Sequence, residues 1–124
     1  MADNANLNET LAEIEIAIIV AQEKVQRGND LEALLEDPKF IRVIQNGYLE
    51  GEAERLFSIL TTPPGNRKDV LDTTHDKLSA IRHFKEYIGT PEYPGIIRRE
   101  AEVAENAIEE QRQLKLRLTA PSED

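Results

Sequence analysis

Leu7-Asn8-Glu9-Thr10-Leu11-Ala12-Glu13-Ile14-Glu15-Ile16-Ala17-Ile18-Ile19-Val20-Ala21-Gln22-Glu23-Lys24-Val25 places apolar side chains at Leu7, Leu11, Ile14, Ile18, Ala21 and Val25. The steps are 4, 3, 4, 3 and 4, the spacing that keeps one stripe of a helix facing a partner, as in a coiled coil. Asn6 or Asn8 can cap the helix start, and Gly28 with Asn29 reads as its stop. Ile16, Ile19 and Val20 lie off the seam and widen the apolar surface. A helix with more than one apolar face usually meets more than one neighbour.

The far end of the chain offers a matching helix, from about Ile96 to about Leu118. One stripe is Ile97, Ala101, Ala104 and Ile108. A second is Ile96, Val103, Ala107 and Leu114. The alanines permit close approach of another helix. Pairing of the two terminal helices, antiparallel to each other, is the expected frame of an all-α helical bundle.

Between them the chain reads as shorter helices. Asn29 or Asp30 starts a turn of helix through Leu31, Leu34 and Leu35. Asp37-Pro38 restarts the chain, with Asp37 as cap and Pro38 as first helical residue. Phe40, Ile41 and Ile44 give one apolar face, and Asn46-Gly47 reads as a break. Leu49, Ala53, Leu56, Phe57 and Leu60 continue at helical spacing. Phe40, Ile44, Leu56 and Phe57 are expected to plug one end of the bundle. Thr61-Thr62-Pro63-Pro64-Gly65 is a loop. Residues 67–88 form a helix on Leu71, Leu78, Ile81, Phe84 and Ile88, weakened near Thr73-Thr74 and stopped by Gly89. Thr90-Pro91-Glu92-Tyr93-Pro94-Gly95 is a rigid turn.

The 124 residues suggest a single helical domain over 7–118, with a flexible N-terminus at 1–6 and a flexible acidic tail at 119–124. Aromatic residues make up 5% and Trp is absent, so the core is aliphatic. A chain this short often buries a further face against copies of itself. With no cysteine there is no disulfide, thiolate metal site or Cys nucleophile. No stretch reads as a signal peptide, and the Ile16–Ala21 run is too short to cross a bilayer, so a soluble, non-membrane protein is expected.

The net charge of −9 is unevenly spread: residues 1–37 hold nine acids and two bases, and residues 66–99 hold seven bases and five acids. Acidic ends flank a slightly basic middle. Such a balance disfavours nucleic acid overall and fits solvated helix faces or an acidic surface that meets a basic partner. Arg67, Lys68, Arg82, Lys85, Arg98 and Arg99 are the candidate phosphate contacts, but acids interleave them, and Lys68 with Asp72 and Arg82 with Glu86 are spaced to pair.

Chemistry finds little foothold. Asp72-x-x-His75 with Asp76 has the spacing of a metal-binding helix, yet a site needs three or four ligands and His83 is two turns along. The serines lack a nucleophile-elbow context, and Gly65-Asn66-Arg67-Lys68 lacks the spacing of a phosphate loop. Glu50 and Glu54 share a face as like charges. No catalytic residue, cofactor or metal site is therefore expected. The expected contact surface is Ile16, Ile19, Val20, Val103, Ala107 and Leu114 on the long helices, with Tyr93 as a rigid aromatic anchor on its turn.

The series Leu34-Leu35-x-Asp37-Pro38-x-Phe40-x-x-Val43-Ile44-x-x-Gly47-Tyr48-Leu49-x-x-Glu52-Ala53-x-Arg55-Leu56 resembles a group of small, uncharacterised helical proteins encoded by tailed bacteriophages. The helix around Leu78-Ser79-Ala80-Ile81-Arg82-His83-Phe84 and the Glu-rich last helix extend the likeness over about residues 7–118. The resemblance implies a phage origin and an association with structural or assembly genes, and it carries over no binding residue. The expectation is a non-enzymatic assembly or virion-associated protein, in the virion or the host cytoplasm, whose partners are copies of itself or phage structural proteins. The alternatives are an acidic phage regulator or inhibitor that binds a host protein, and a packaging-type nucleic-acid binder.

Overall fold

The structure, a computed structural model, describes residues 2–63 and 67–120. It is all-α: α1 (Ala2–Glu36), α2 (Pro38–Phe40), a π-helix (Ile41–Glu52), α3 (Ala53–Thr61), α4 (Lys68–Ile88) and α5 (Ile96–Thr119). Among the described residues no strand forms; a lone antiparallel bridge joins Gly89 and Pro94. Among the described residues no helix is long and apolar enough to cross a membrane. Pro64 and Gly65 of the expected loop and residues 121–124 of the expected tail lie outside the described residues.

The chain divides into two compact units, residues 1–29 with 97–124, and residues 30–96. In the first unit α5 packs on α1 between Leu11 and Gly28. Ile14, Ile18 and Ala21 of the seam are buried with Ala104 and Ile108, and Leu11, Val25 and Leu114 pack against this cluster. Ile97, Ala101, Ala104 and Ile108 are the buried residues of α5. The pairing is antiparallel: Lys115 bonds Glu15 at one end, while Gly28 faces Ala101 at the other.

Gly28 does not stop α1, which runs unbroken to Glu36. It extends the seam, three residues beyond Val25, and is buried. A Cβ placed on it would stand 2.5 Å from the Cβ of Ala101. The missing side chain lets two backbones approach instead of ending a helix. Leu31 and Leu35 accordingly belong to α1 and not to a separate turn of helix. The helix also starts at Ala2, ahead of the expected caps Asn6 and Asn8. Alanine at positions 2 and 5 favours helix there, and Thr10 Oγ1 donates to the Asn6 carbonyl one turn back, at 2.9 Å.

In the second unit Asp37 caps as expected. Its carboxylate accepts from the backbone N–H of Lys39 (2.8 Å) and Phe40 (3.4 Å), with Pro38 as first helical residue. The helical path then continues through Gly47 without a break. Residues 41–52 adopt the i→i+5 hydrogen bonding of a π-helix, rare at this length, and Gly47 and Gly51 sit inside it over the carbonyls of Arg42 and Asn46. The wider turn sets which side chains face inward. Leu49 and Leu56 are buried, Leu56 to 1% exposure, whereas Phe57 is 58% exposed and Phe40 and Ile44 are half-buried. Of the four residues expected to plug the bundle, Leu56 is thus the one fully buried, and Phe57 is turned to solvent.

Ile81 and Ile88 of α4 are also buried, and Phe84 meets Tyr48 edge to face, with centroids 6.1 Å apart. Thr74 does not interrupt α4. It is buried because its hydroxyl donates to the Val70 carbonyl at 2.7 Å. Gly89 ends α4 at φ 68 and ψ −162, a region essentially confined to glycine.

Candidate interaction surface

A helix pair buries one stripe of each helix and leaves both flanks to solvent. On one flank of the α1/α5 pair lies a groove of about 520 Å³, almost wholly apolar. Ala17, Val20, Ala21 and Lys24 line it from α1, and Arg99, Glu100, Val103, Ala104 and Ala107 from α5. Ala21 and Ala104 are buried at its base, Ala107 is half-buried and Ala17 is exposed. Val20 and Val103 stand on its walls, 50% and 68% exposed. The groove exists because the second α5 stripe, Val103 and Ala107, stands a quarter to a third of a turn from the buried one. The Ala17-Val20-Ala21 side of α1 faces the same way.

Of the expected contact residues, Val20, Val103 and Ala107 come together in this groove. Ile16 stands one turn before Val20 and is exposed, and Ile19 is exposed elsewhere on α1. Leu114 departs from expectation: it packs against the cluster of Ile14, Ile18, Ala21, Ala104 and Ile108, so the contact of α5 with α1 extends that far. Tyr93 belongs to the other unit. Its turn is pinned by two hydrogen bonds, Tyr93 N–H donating to Thr90 Oγ1 (3.0 Å) and Thr90 N–H to the Tyr93 carbonyl (2.8 Å). The residue itself is exposed.

The second unit has a smaller, more polar groove of about 380 Å³, lined by Ala53, Phe57, His75, Leu78, Ser79, Ile81, Arg82 and Lys85. It gathers two of the six candidate phosphate contacts. Arg67 is held by Asp69 at 3.0 Å, Lys68 is exposed at the start of α4, and Arg98 and Arg99 lie in the first unit, Arg99 on the apolar groove. His75 faces this smaller groove, and among the described residues no three His, Asp or Glu side chains stand where they would share an ion.

A further ion pair was not read from spacing: Arg55 Nε donates to Glu52 Oε2 at 2.9 Å, and its Nη2 bonds the other oxygen. This hydrogen bonding holds the Glu52 carboxyl below the usual glutamate range; desolvation opposes it, and the charges of Arg55 and Lys77 add to it. Its i, i+3 spacing was the available signal. For Gly28 the signal was its place on the seam, where a stop would have no reason to fall. The grooves had no such signal, since they depend on which flank each helix turns outward.

No protein-family model, no curated protein and no solved structure matches the chain.

Proposed function

We propose that this chain is a non-enzymatic bacteriophage assembly or virion-associated protein that works through helix–helix contacts, with the α1/α5 groove as its contact surface. The observation that carries the reading is the groove itself: a lining of alanines with exposed Val20 and Val103, and Ile16 beside it. Water gains nothing by solvating such a strip. Each valine taken from solvent by a partner helix contributes about 1.5–3 kcal/mol at most, so a partner that covers both and the alanines has a substantial drive to bind. A lining of alanines suits a helix, because helix backbones approach closely over small side chains. The resemblance of residues 34–56 to phage proteins supports the phage setting, in the virion or the host cytoplasm.

Light scattering at micromolar concentration, combined with sedimentation of the chain alongside purified virions, tests the reading. The expected result is an oligomer, a virion-bound fraction, or both, and Val103→Asp should diminish it. A strict monomer that does not sediment with virions overturns it.

A further inference from the structure

We propose that the occupant of the α1/α5 groove is the same groove of a second copy of this chain, turned end for end, so that two helix pairs close into a four-helix bundle. This rests on the reading of the groove as a contact surface and names what covers it.

The first observation is shape. Exposed Val20 and Val103 line the groove beside the smaller Ala17, Ala21, Ala104 and Ala107, of which Ala21 and Ala104 are buried. A surface that carries both knobs and holes can be its own complement, as a two-fold interface requires. Facing pairs of antiparallel helices are also the ordinary way to complete a four-helix core.

The second observation is charge, and it sets the direction. The antiparallel pairing puts Lys115 level with Glu15 and Ala101 level with Gly28. Lys24 and Arg99 therefore lie toward one end of the groove, with Glu100 beside them. At the other end stand Glu13, four residues before Ala17 and seven before Val20, and Glu110, three residues after Ala107 and seven after Val103. Those spacings keep both glutamates on the groove side of their helices. Glu9, one turn before Glu13, adds to this end, and Arg117, level with Glu13, offsets one charge. The groove thus runs from net basic through apolar to net acidic. A copy laid parallel would set like charge on like. A copy reversed about a two-fold axis near Ala21 and Ala107 brings Arg99 and Lys24 to the level of the other copy's Glu13 and Glu110, at both ends at once.

The test uses charge reversal and mixing. Lys24→Glu with Arg99→Glu makes both ends acidic; Glu13→Lys with Glu110→Lys makes both ends basic. All four side chains are exposed, and circular dichroism checks that helicity is kept. Sedimentation equilibrium near 0.1 M salt, where the screening length is about 10 Å, measures association. The parent chain should dimerise. Each reversed variant alone should associate at least tenfold more weakly, and an equimolar mixture should recover a heterodimer, because both ends are then paired again. Val103→Asp should abolish the dimer by burying a charge without a partner. If the parent dimerises but the reversals do nothing, or mixing restores nothing, the reversed two-fold arrangement is wrong while the assembly reading stands. A monomeric parent that still sediments with virions overturns the self-docking proposal alone. A monomeric parent that sediments with nothing overturns both.

Discussion

The two units bury their apolar residues in different ways. In residues 1–29 with 97–124, two helices share a single seam of Ile and Ala, and each keeps a flank in water. In residues 30–96, the end of α1, the π-helix, α3 and α4 gather around leucines, and Leu56 is almost fully enclosed. Two helices enclose only the one stripe between them, where Ile14 is down to 3% exposure; four segments can surround a core from several sides. The first unit is therefore the part with surface left to offer, and the second is the part that holds itself together.

The largest expected effect follows from that contrast. Leu56→Ala removes the most enclosed side chain and should cost about 2–5 kcal/mol, read as a loss of urea stability by circular dichroism. Val103→Ala, on the open flank, should change the stability of the dilute chain by less than about 0.5 kcal/mol. Equal losses at the two positions would mean that the units are not built differently.

The seam tests the first unit by itself. Gly28→Ala gains up to about 1 kcal/mol of helix propensity, yet its new methyl would meet Ala101 at 2.5 Å. Two Cβ atoms fixed to helix backbones cannot yield by rotating, so the helices must part, and overpacking of this kind costs about 1–3 kcal/mol. The net expectation is a loss of about 1 kcal/mol. Gly28→Ala combined with Ala101→Gly should recover much of it, a coupling that a double-mutant cycle would detect. A stabilised Gly28→Ala chain would show that the two backbones are not in close contact there.

The same residues show what was legible from sequence and why the rest was not. The seam from Leu7 to Val25 and the stripe from Ile97 to Ile108 were readable, because a 4, 3 spacing has one physical meaning over many turns. Asp37-Pro38 was readable because capping is local chemistry. Gly28 and Gly47 were misread as stops, since glycine ends a helix, relieves a close contact or sits in a π-turn with the same local sequence cost. Which use applies depends on what packs opposite. Phe57 was placed inside for a related reason: the π-helix before it changes the phase of the helical face, and no apolar spacing announces that change. In the candidate site, exposure of Ile16, Ile19, Val20 and Val103 was foreseeable from their position off the seam. The inward packing of Leu114 was not, because it depends on how α5 leans against α1 near its C-terminal end.

A smaller effect probes the junction that begins the helical path of the second unit. Asp37→Ala removes the acceptor for the N–H groups of Lys39 and Phe40 and should cost about 0.5–2 kcal/mol. Asp37→Asn should retain most of the stability, since an amide oxygen caps nearly as well. Thermal melting of the three chains checks this, and an Asp37→Asn loss as large as that of Asp37→Ala would mean that charge, and not the cap bond, is what matters.

The smallest expected effect is at Glu52 and Arg55, on the surface of the second unit. Their hydrogen bonds hold the Glu52 carboxyl below its usual range. The sign follows from linkage: a carboxyl whose pKa is lowered by folding adds stability above its unfolded value and loses it as pH falls through the folded value. The pair is too exposed for that contribution to show in a melting curve at neutral pH, so the informative measurement is the titration of Glu52 itself by side-chain carbon NMR. Its midpoint should lie below that of an ordinary glutamate. Arg55→Gln should raise it, and Lys77→Gln should raise it less, because Lys77 acts through charge alone. A midpoint unmoved by Arg55→Gln would show that the two side chains do not stay together in solution. The second unit would then owe its order to the leucine core, with no measurable help from its surface charges.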